Sequence, residues 1–272
     1  MSMRIRLFPL VKHLPSVKRL AAEHEQLREK CARLEARTSV ACDCLPVPPE
    51  HLRHRVAGLT DVDKFLGTGR TLLGDIKSLA RQAGRDFDTF HSILDFGCGC
   101  GRVLRYLRPK GRTITGTDID AEAIEWCREN LESVGRFDVN RHAPPLNYQD
   151  ESFDFIYGIS VFTHLPEDMA TLWLKELRRI LRPDGLLVTS TLGSTDLQGL
   201  MSDDKEALKQ FKQKGFYYTK KFKTEGLPDF YGLSFHERSY IEAEWSRYFN
   251  ILVFYPKAIN NHQDGIVLSK MA

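Results

Sequence analysis

Between residues 90 and 192 the spacing of apolar positions switches repeatedly between two habits. Short continuous apolar runs alternate with stretches whose apolar residues recur every three or four positions. HSILDF reads as a buried strand, RTITGTDI as a second, FDVN as a third, SFDFIYG as a fourth and GLLVTST as a fifth. GRVLRYL, AEAIEWCRENLESV and EDMATLWLKELRRIL read as helices between them, with Ala123, Trp126, Cys127 and Leu131 among the apolar positions of the second. Strand and helix alternating at this interval predicts an α/β fold, a parallel sheet with helices on both faces. The rhythm breaks after Thr191. Residues 193–235 read as a long insertion, followed by a helix over HERSYIEAEWSRYF. Two closing strands, ILVFYP and GIVLSK, are separated by a turn too short for a crossover helix, so they predict an antiparallel hairpin.

Upstream the pattern is looser. Residues 59–83 read as a helical approach segment interrupted near Gly67 and Gly69, and residues 38–58 as a linker that includes TSVACDCLPVPPE. In residues 1–37, Val17, Leu20, His24, Leu27, Cys31 and Leu34 recur at alternating spacings of three and four, which predicts a helix. Three uses stay open for it: packing on its own body, a dimerising coiled coil, or contact with an anionic membrane surface. The domain plan is therefore 1–37 basic helix, 38–58 linker, and 59–272 the main domain, with 193–235 inserted as a lid.

Charge sharpens this plan. The chain of 272 residues carries a net +3, but residues 1–37 alone hold nine Lys/Arg against four Glu, so the rest is slightly acidic. That body lacks the basic character of a nucleic-acid-binding domain. Six cysteines without framework spacing suit a reducing cytoplasm, and the amino-terminal apolar stretch is broken too early for a signal peptide.

LDFGCGCGRVL then carries the candidate chemistry. It follows a strand and opens a helix, where α/β sheets bind ligands. Gly97, Gly99 and Gly101 allow tight turning and close approach. A dinucleotide pyrophosphate suits the loop poorly: Asp95 precedes it, and Arg102 stands where the dinucleotide fingerprint wants Gly or Ala. Asp118, about 20 residues on, is placed to hold ribose hydroxyls. A ribose joined to a cationic, phosphate-free remainder describes S-adenosylmethionine.

ILDFGCGCGRVL, GTDID, PPLNYQDESFDFIYGISVFTHL and ELRRILRPDGLLVTS, in that order, resemble the class I S-adenosylmethionine-dependent methyltransferases. The resemblance implies a Rossmann-like seven-stranded sheet with a final antiparallel strand. It also implies that Asp95, Gly97, Cys98, Gly99, Gly101 and Arg102 wrap the methionine portion of the cofactor. Asp118 would bind the ribose and Ile119 pack on adenine. The family's acidic residue after the third strand is absent from NRHAPPL, which leaves Asn140, Arg141 and His142 as adenine neighbours. Ser160 and Val161 follow the fourth strand, where the substrate side begins. Cys98 and Cys100 read as small space-filling residues.

Methyl transfer from a sulfonium needs positioning, and a base only when the acceptor must lose a proton. His164 and His236 are the candidates, with Glu237 and Tyr240 behind them. The segment 209–223, with six lysines, five aromatics and no acid, reads in two ways that stay open. It is a solvated helix face whose aromatics anchor the loop, or a lid whose lysines, Lys220 among them, suit an anionic acceptor while Tyr217 and Tyr218 stack on its sugar or aromatic ring. Cys42, Cys44, His51 and His54 form a zinc-like spacing, but an irregular one stiffened by prolines, and no metal is expected. The expected activity is methyl transfer to an oxygen of a small molecule or glycan. N-methylation and a non-catalytic cofactor-binding subunit are the alternatives.

Overall fold

A computed structural model describes residues 44–222 and 228–271. The basic helix expected in residues 1–37 and the start of the linker, with Cys42, lie outside the described residues, as does Lys223.

Seven strands form the main sheet: β1 (Ser92–Phe96), β2 (Thr113–Asp118), β3 (Arg136–Val139), β4 (Phe153–Gly158), β5 (Leu181–Thr191), β8 (Phe249–Ile259) and β9 (Gln263–Lys270). Their order is β3-β2-β1-β4-β5-β9-β8. The pairs among β1 to β5 are parallel, while β9 runs antiparallel to both β5 and β8. This is the expected parallel sheet closed by an antiparallel hairpin. Strand order reverses between β1 and β4, the point where α/β sheets open a crevice beyond their strand ends.

Each face of the sheet is covered by helices whose apolar stripes match the sequence period. On one side lie α2 (Val62–Gln82), with Leu72, Ile76, Leu79 and Ala80 buried, and α3 (Ala121–Asn130), with Ile124 and Cys127 buried. On the other lies α4 (Glu167–Ile180), which buries Ala170, Trp173, Leu174, Leu177 and Ile180 against Leu94, Phe96 and Ile156. Asp61 and Asp120 cap α2 and α3 by accepting the backbone N–H of Lys64 and Ala123, at 2.7 and 3.1 Å. α4 starts directly after Pro166.

Three expectations need correction. The segment near Gly67 and Gly69 is not interrupted, because α2 runs unbroken through both. GRVLRYL is not an α-helix. It is a run of turns ending in one 3-10 turn, Leu104–Tyr106, before Pro109. Arg105 explains part of this: it is fully buried and its Nη2 donates to the carbonyls of Leu45 and Pro46 at 3.0 and 3.1 Å. The 38–58 segment is not linker throughout, because Glu50–Ala57 forms α1, closed by Gly58 in the left-handed conformation at φ 64°.

The insertion has a small core of its own. α5 (Ser194–Met201) and α6 (Lys205–Lys214) lead into a two-stranded antiparallel sheet of β6 (Phe216–Thr219) and β7 (Leu233–His236). Leu192, Leu197, Met201, Ala207, Phe211 and Phe235 pack together beneath them. The helix expected over HERSYIEAEWSRYF is shorter, α7 (Arg238–Glu244) followed by a 3-10 turn. Among the described residues no helix is long and apolar enough to cross a membrane.

Candidate active site

The site forms where β1, β2 and β4 end side by side. The glycine loop leaves β1 tethered to its neighbour: the N–H groups of Gly97 and Cys98 both donate to the Thr117 carbonyl, at 2.8 and 3.1 Å. Gly97 and Gly99 then take φ of 80° and 52°, a region that side chains rarely adopt. Space enforces the same choice. A Cβ at Gly97 would approach Val161 Cγ2 to 2.5 Å, and one at Gly99 would approach Val56 Cγ1 to 2.3 Å.

Two carboxylates define the electrostatics. Asp118, at the end of β2, accepts the N–H of Gly99 at 2.7 Å and of Asp120 at 2.9 Å, so it joins the glycine loop to the start of α3. Burial raises its pKa, and those backbone donors pull against the rise. Asp95 lies in β1 and accepts the Tyr157 hydroxyl from β4 at 2.8 Å. Burial pushes its pKa up to about 7, against the opposing pull of that hydrogen bond; the nearby charge of Asp118 adds to the rise and Arg102 draws it back. A cation placed here would favour both ionised forms.

These residues line a cavity of about 200 Å³. Asp95, Gly97, Cys98, Gly99, Arg102, Asp118, Ile119, His142, Ser160, Val161 and His164 all reach it, as does Asn140. Gly101 and Arg141 do not. A Cβ at Gly101 would meet Leu131 Cδ1 at 2.4 Å, so that glycine serves the packing of the loop on α3. Arg141 is exposed and lines a separate groove with Arg128 and Asp138. The thiols of Cys98 and Cys100 are buried and their pKa values are raised, the latter to about 12, because burial opposes the thiolate.

His164 stands at the mouth of this cavity. Its Nδ1 lies 2.8 Å from the Gly232 carbonyl, which can only accept, so Nδ1 carries the hydrogen and Nε2 keeps its lone pair. Its ring stacks on Tyr231 at 4.2 Å. Burial lowers its pKa, which keeps it neutral near pH 7. His236 is different. It is 1% exposed, neither ring nitrogen has a partner among the described residues, and it packs among Phe216, Tyr240 and Trp245. It lines no part of the cavity, and burial pushes its pKa down to about 3. The histidine expected as a second base is a core residue.

The expected acceptor grip also moves. Tyr217, Tyr218 and Lys220 do not line the cavity. Tyr218 acts at one remove, donating its hydroxyl to the Phe230 carbonyl at 2.6 Å and so holding the loop that brings Phe230 and Tyr231 over the site. Lys220 is exposed.

The roof was the part that sequence reasoning missed. Arg55 and Val56 reach the cavity from α1, the supposed linker, and Phe230 and Tyr231 reach it from the insertion. Arg55 is fixed by Asp120 through two bonds of 2.6 and 2.9 Å and by Glu122 at 2.7 Å, and His51 adds a contact of 2.7 Å to Glu122. A following Gly-rich turn or an apolar moment would not have flagged these residues. The acid pair at Asp120 and Glu122, just after Asp118, was the available hint.

A second cavity of about 650 Å³ abuts the first and shares Arg55, Arg102, Ser160, His164 and Tyr231 with it. His51 and His54 border it as well, but among the described residues no group of three or more metal-ligating side chains converges.

Residues 94–189 match the family model described as a methyltransferase domain. Over those residues the chain is similar to class I methyltransferase domains. That family uses S-adenosylmethionine, and the residues present suit that ligand: a cradle a Cβ would fill, and a buried Asp95 and half-buried Asp118 whose carboxylates suit a cationic nucleoside. Among curated proteins, the domain is similar to methyltransferase GfsG of Streptomyces halstedii, 33% identical over 39% of this chain and 40% of that protein. It is also similar to the malonyl-[acyl-carrier protein] O-methyltransferase of Pectobacterium atrosepticum, 31% identical over 40% of this chain and 41% of that protein. The chain thus spans about two fifths of the length of these relatives. The magnesium protoporphyrin IX methyltransferase of Synechocystis, solved with S-adenosylhomocysteine, shares the fold at a TM-score of 0.53 and 16% identity, over 80% of this chain and 92% of that one.

Proposed function

We propose that this protein transfers a methyl group from S-adenosylmethionine to a hydroxyl oxygen of a small molecule or glycan, with His164 as the base. The observation that carries the reading is the hydrogen bond between His164 Nδ1 and the Gly232 carbonyl, which reserves Nε2 for an acceptor proton. S-adenosylmethionine supplies the methyl as a sulfonium: the new oxygen–carbon bond forms as the carbon–sulfur bond breaks, leaving a neutral thioether. The chain's own residues do the rest. Asp118 holds the nucleoside, the glycine loop lets the ligand lie against the backbone, and Asp95 offers negative charge to the sulfonium side. His164 receives the hydroxyl proton, and its neutrality at pH 7 suits it to that role. Phe230 and Tyr231 keep water off the reacting atoms.

The test is transfer of a labelled methyl group from the cofactor into small-molecule extracts, followed by identification of the labelled product. An O-methyl ether supports the reading. An N-methyl product, or labelling unaffected by His164→Gln, overturns it. Cytoplasmic location and a dimer through residues 1–37 belong to the same proposal, and light scattering with and without those residues checks the second.

A further inference from the structure

Resting on that reading, we propose that Tyr231 is a positioning residue for the base: its ring lies flat on His164, holds the imidazole in place, and favours the imidazolium that forms when the acceptor's proton arrives.

The geometry of the ring pair carries this. The two centroids are 4.2 Å apart and the planes differ by 17°, so the imidazole lies over the face of the tyrosine ring. A cation over that face is attracted by the ring's electron density, and more strongly where water is excluded. His164 is half-buried, and burial works against its charged form. Its hydrogen bond runs to a carbonyl rather than to a carboxylate. Beside that bond, the Tyr231 face is the contact that gains from the new charge.

The stack is built into the backbone. Gly232, next to Tyr231, donates its N–H to the His164 carbonyl at 3.3 Å. Ser234 donates its N–H to the Thr163 carbonyl at 2.8 Å and its hydroxyl to the Leu165 carbonyl. Tyr231 itself closes a turn on the Pro228 carbonyl at 2.9 Å, while Tyr218 holds Phe230 beside it. Two segments 68 positions apart are thus stitched together around one ring pair. Side chains locked in this way keep a reacting group in register. Tyr231 and His164 also border the same two cavities, so the pair faces donor and acceptor together. Excluding water would need only bulk at position 231. An aromatic face over the imidazole adds a preference for its charged form.

The test is NMR titration of the His164 ring in the full chain, which needs neither acceptor nor turnover, with His164→Gln assigning the signal. Asp95, Asp118, Asp120, Arg55 and Arg102, with His51, His54, His142 and His262, share its cavities and are retained in every variant. Tyr231→Leu keeps apolar bulk but removes the aromatic face. Its titration midpoint should fall by about 0.5 pH or more, the size of a cation–π contact. Tyr231→Phe keeps the face and should stay within about 0.2 pH of wild type. Cooperative thermal unfolding reports that the leucine variant folds. Where it does not, Tyr218→Phe carries the test from outside the cavities: it frees the loop at Phe230 and should lower the midpoint in the same direction. An unmoved or raised midpoint in whichever of these two variants carries the test overturns the proposal. So does an equal fall in Tyr231→Phe, which would assign the effect to the hydroxyl. Failure of the base reading shows separately, as methyl transfer unchanged in His164→Gln.

Discussion

Gly69, in the middle of α2, lies against the backbone carbonyl of Arg102: a Cβ there would come within 2.1 Å of that oxygen and 2.9 Å of Tyr106 Cε2. Both clashing groups belong to the turn that follows the glycine loop, and the nearer one is backbone that cannot swing aside. Gly69→Ala should therefore destabilise the fold by about 1–3 kcal/mol despite the better helix propensity of alanine, because overpacking dominates. Chemical denaturation checks this. An equal change at Gly67, where a Cβ meets nothing within 4 Å, should be neutral or stabilising.

The same contact shows what the sequence made legible. The strands and the main helices of 90–192 follow from local periodicity, and Asp95, the glycines and Asp118 from their position at strand ends. Gly69 read as a helix break because its reason lies more than 30 residues away, in Arg102. The roof failed for the same cause. Arg55 gains meaning only beside Asp120 and Glu122, and Tyr231 only beside His164. His236 looked reactive in LSFHERSY, yet its three aromatic neighbours come from β6, α7 and the turn after it. Contacts across the fold, not spacing, decided each of these.

Asp95 should make stability and cofactor binding depend on pH. Its folded pKa, about 7, lies above the ordinary 3.8. The folded state thus holds that proton more tightly than the unfolded chain, and the stability this confers is complete below the ordinary value and lost as pH rises toward 7 and beyond. Wild type should lose melting temperature relative to Asp95→Asn between pH 5 and 8. S-adenosylmethionine, whose sulfonium favours the ionised carboxylate, should raise the wild-type melting temperature more at pH 8 than at pH 6. The Asn variant should show a flat response, and parallel curves for the two proteins would refute the assignment.

The Arg55–Asp120 pair predicts a kinetic effect with a small stability effect. Both side chains are partly exposed, 33% and 18%, so the pair contributes about 1 kcal/mol or less. It nevertheless fastens α1 across the cavity, with Val56 against Gly99. Arg55→Ala should speed S-adenosylhomocysteine release about fivefold, the equivalent of about 1 kcal/mol, while shifting global stability little. Stopped-flow displacement reads the release rate, and an unchanged rate would show that α1 is not what retains the ligand.

His164→Gln gives the most direct test of the chemistry. Glutamine can still donate to the Gly232 carbonyl, so the loop bearing Tyr231 should keep its place, but no lone pair of comparable basicity faces the acceptor. The turnover rate should fall about 100-fold or more, the usual contribution of a positioned base. The pH profile carries the sharper signature. The base must be neutral to act, and burial lowers its pKa below 6.5, so wild-type turnover should rise with pH through a value below 6.5 and stay level above it. In the variant that acid limb should vanish while S-adenosylhomocysteine affinity is unchanged. A variant that retains the limb would place the titrating base elsewhere, with Asp95 the next group to test.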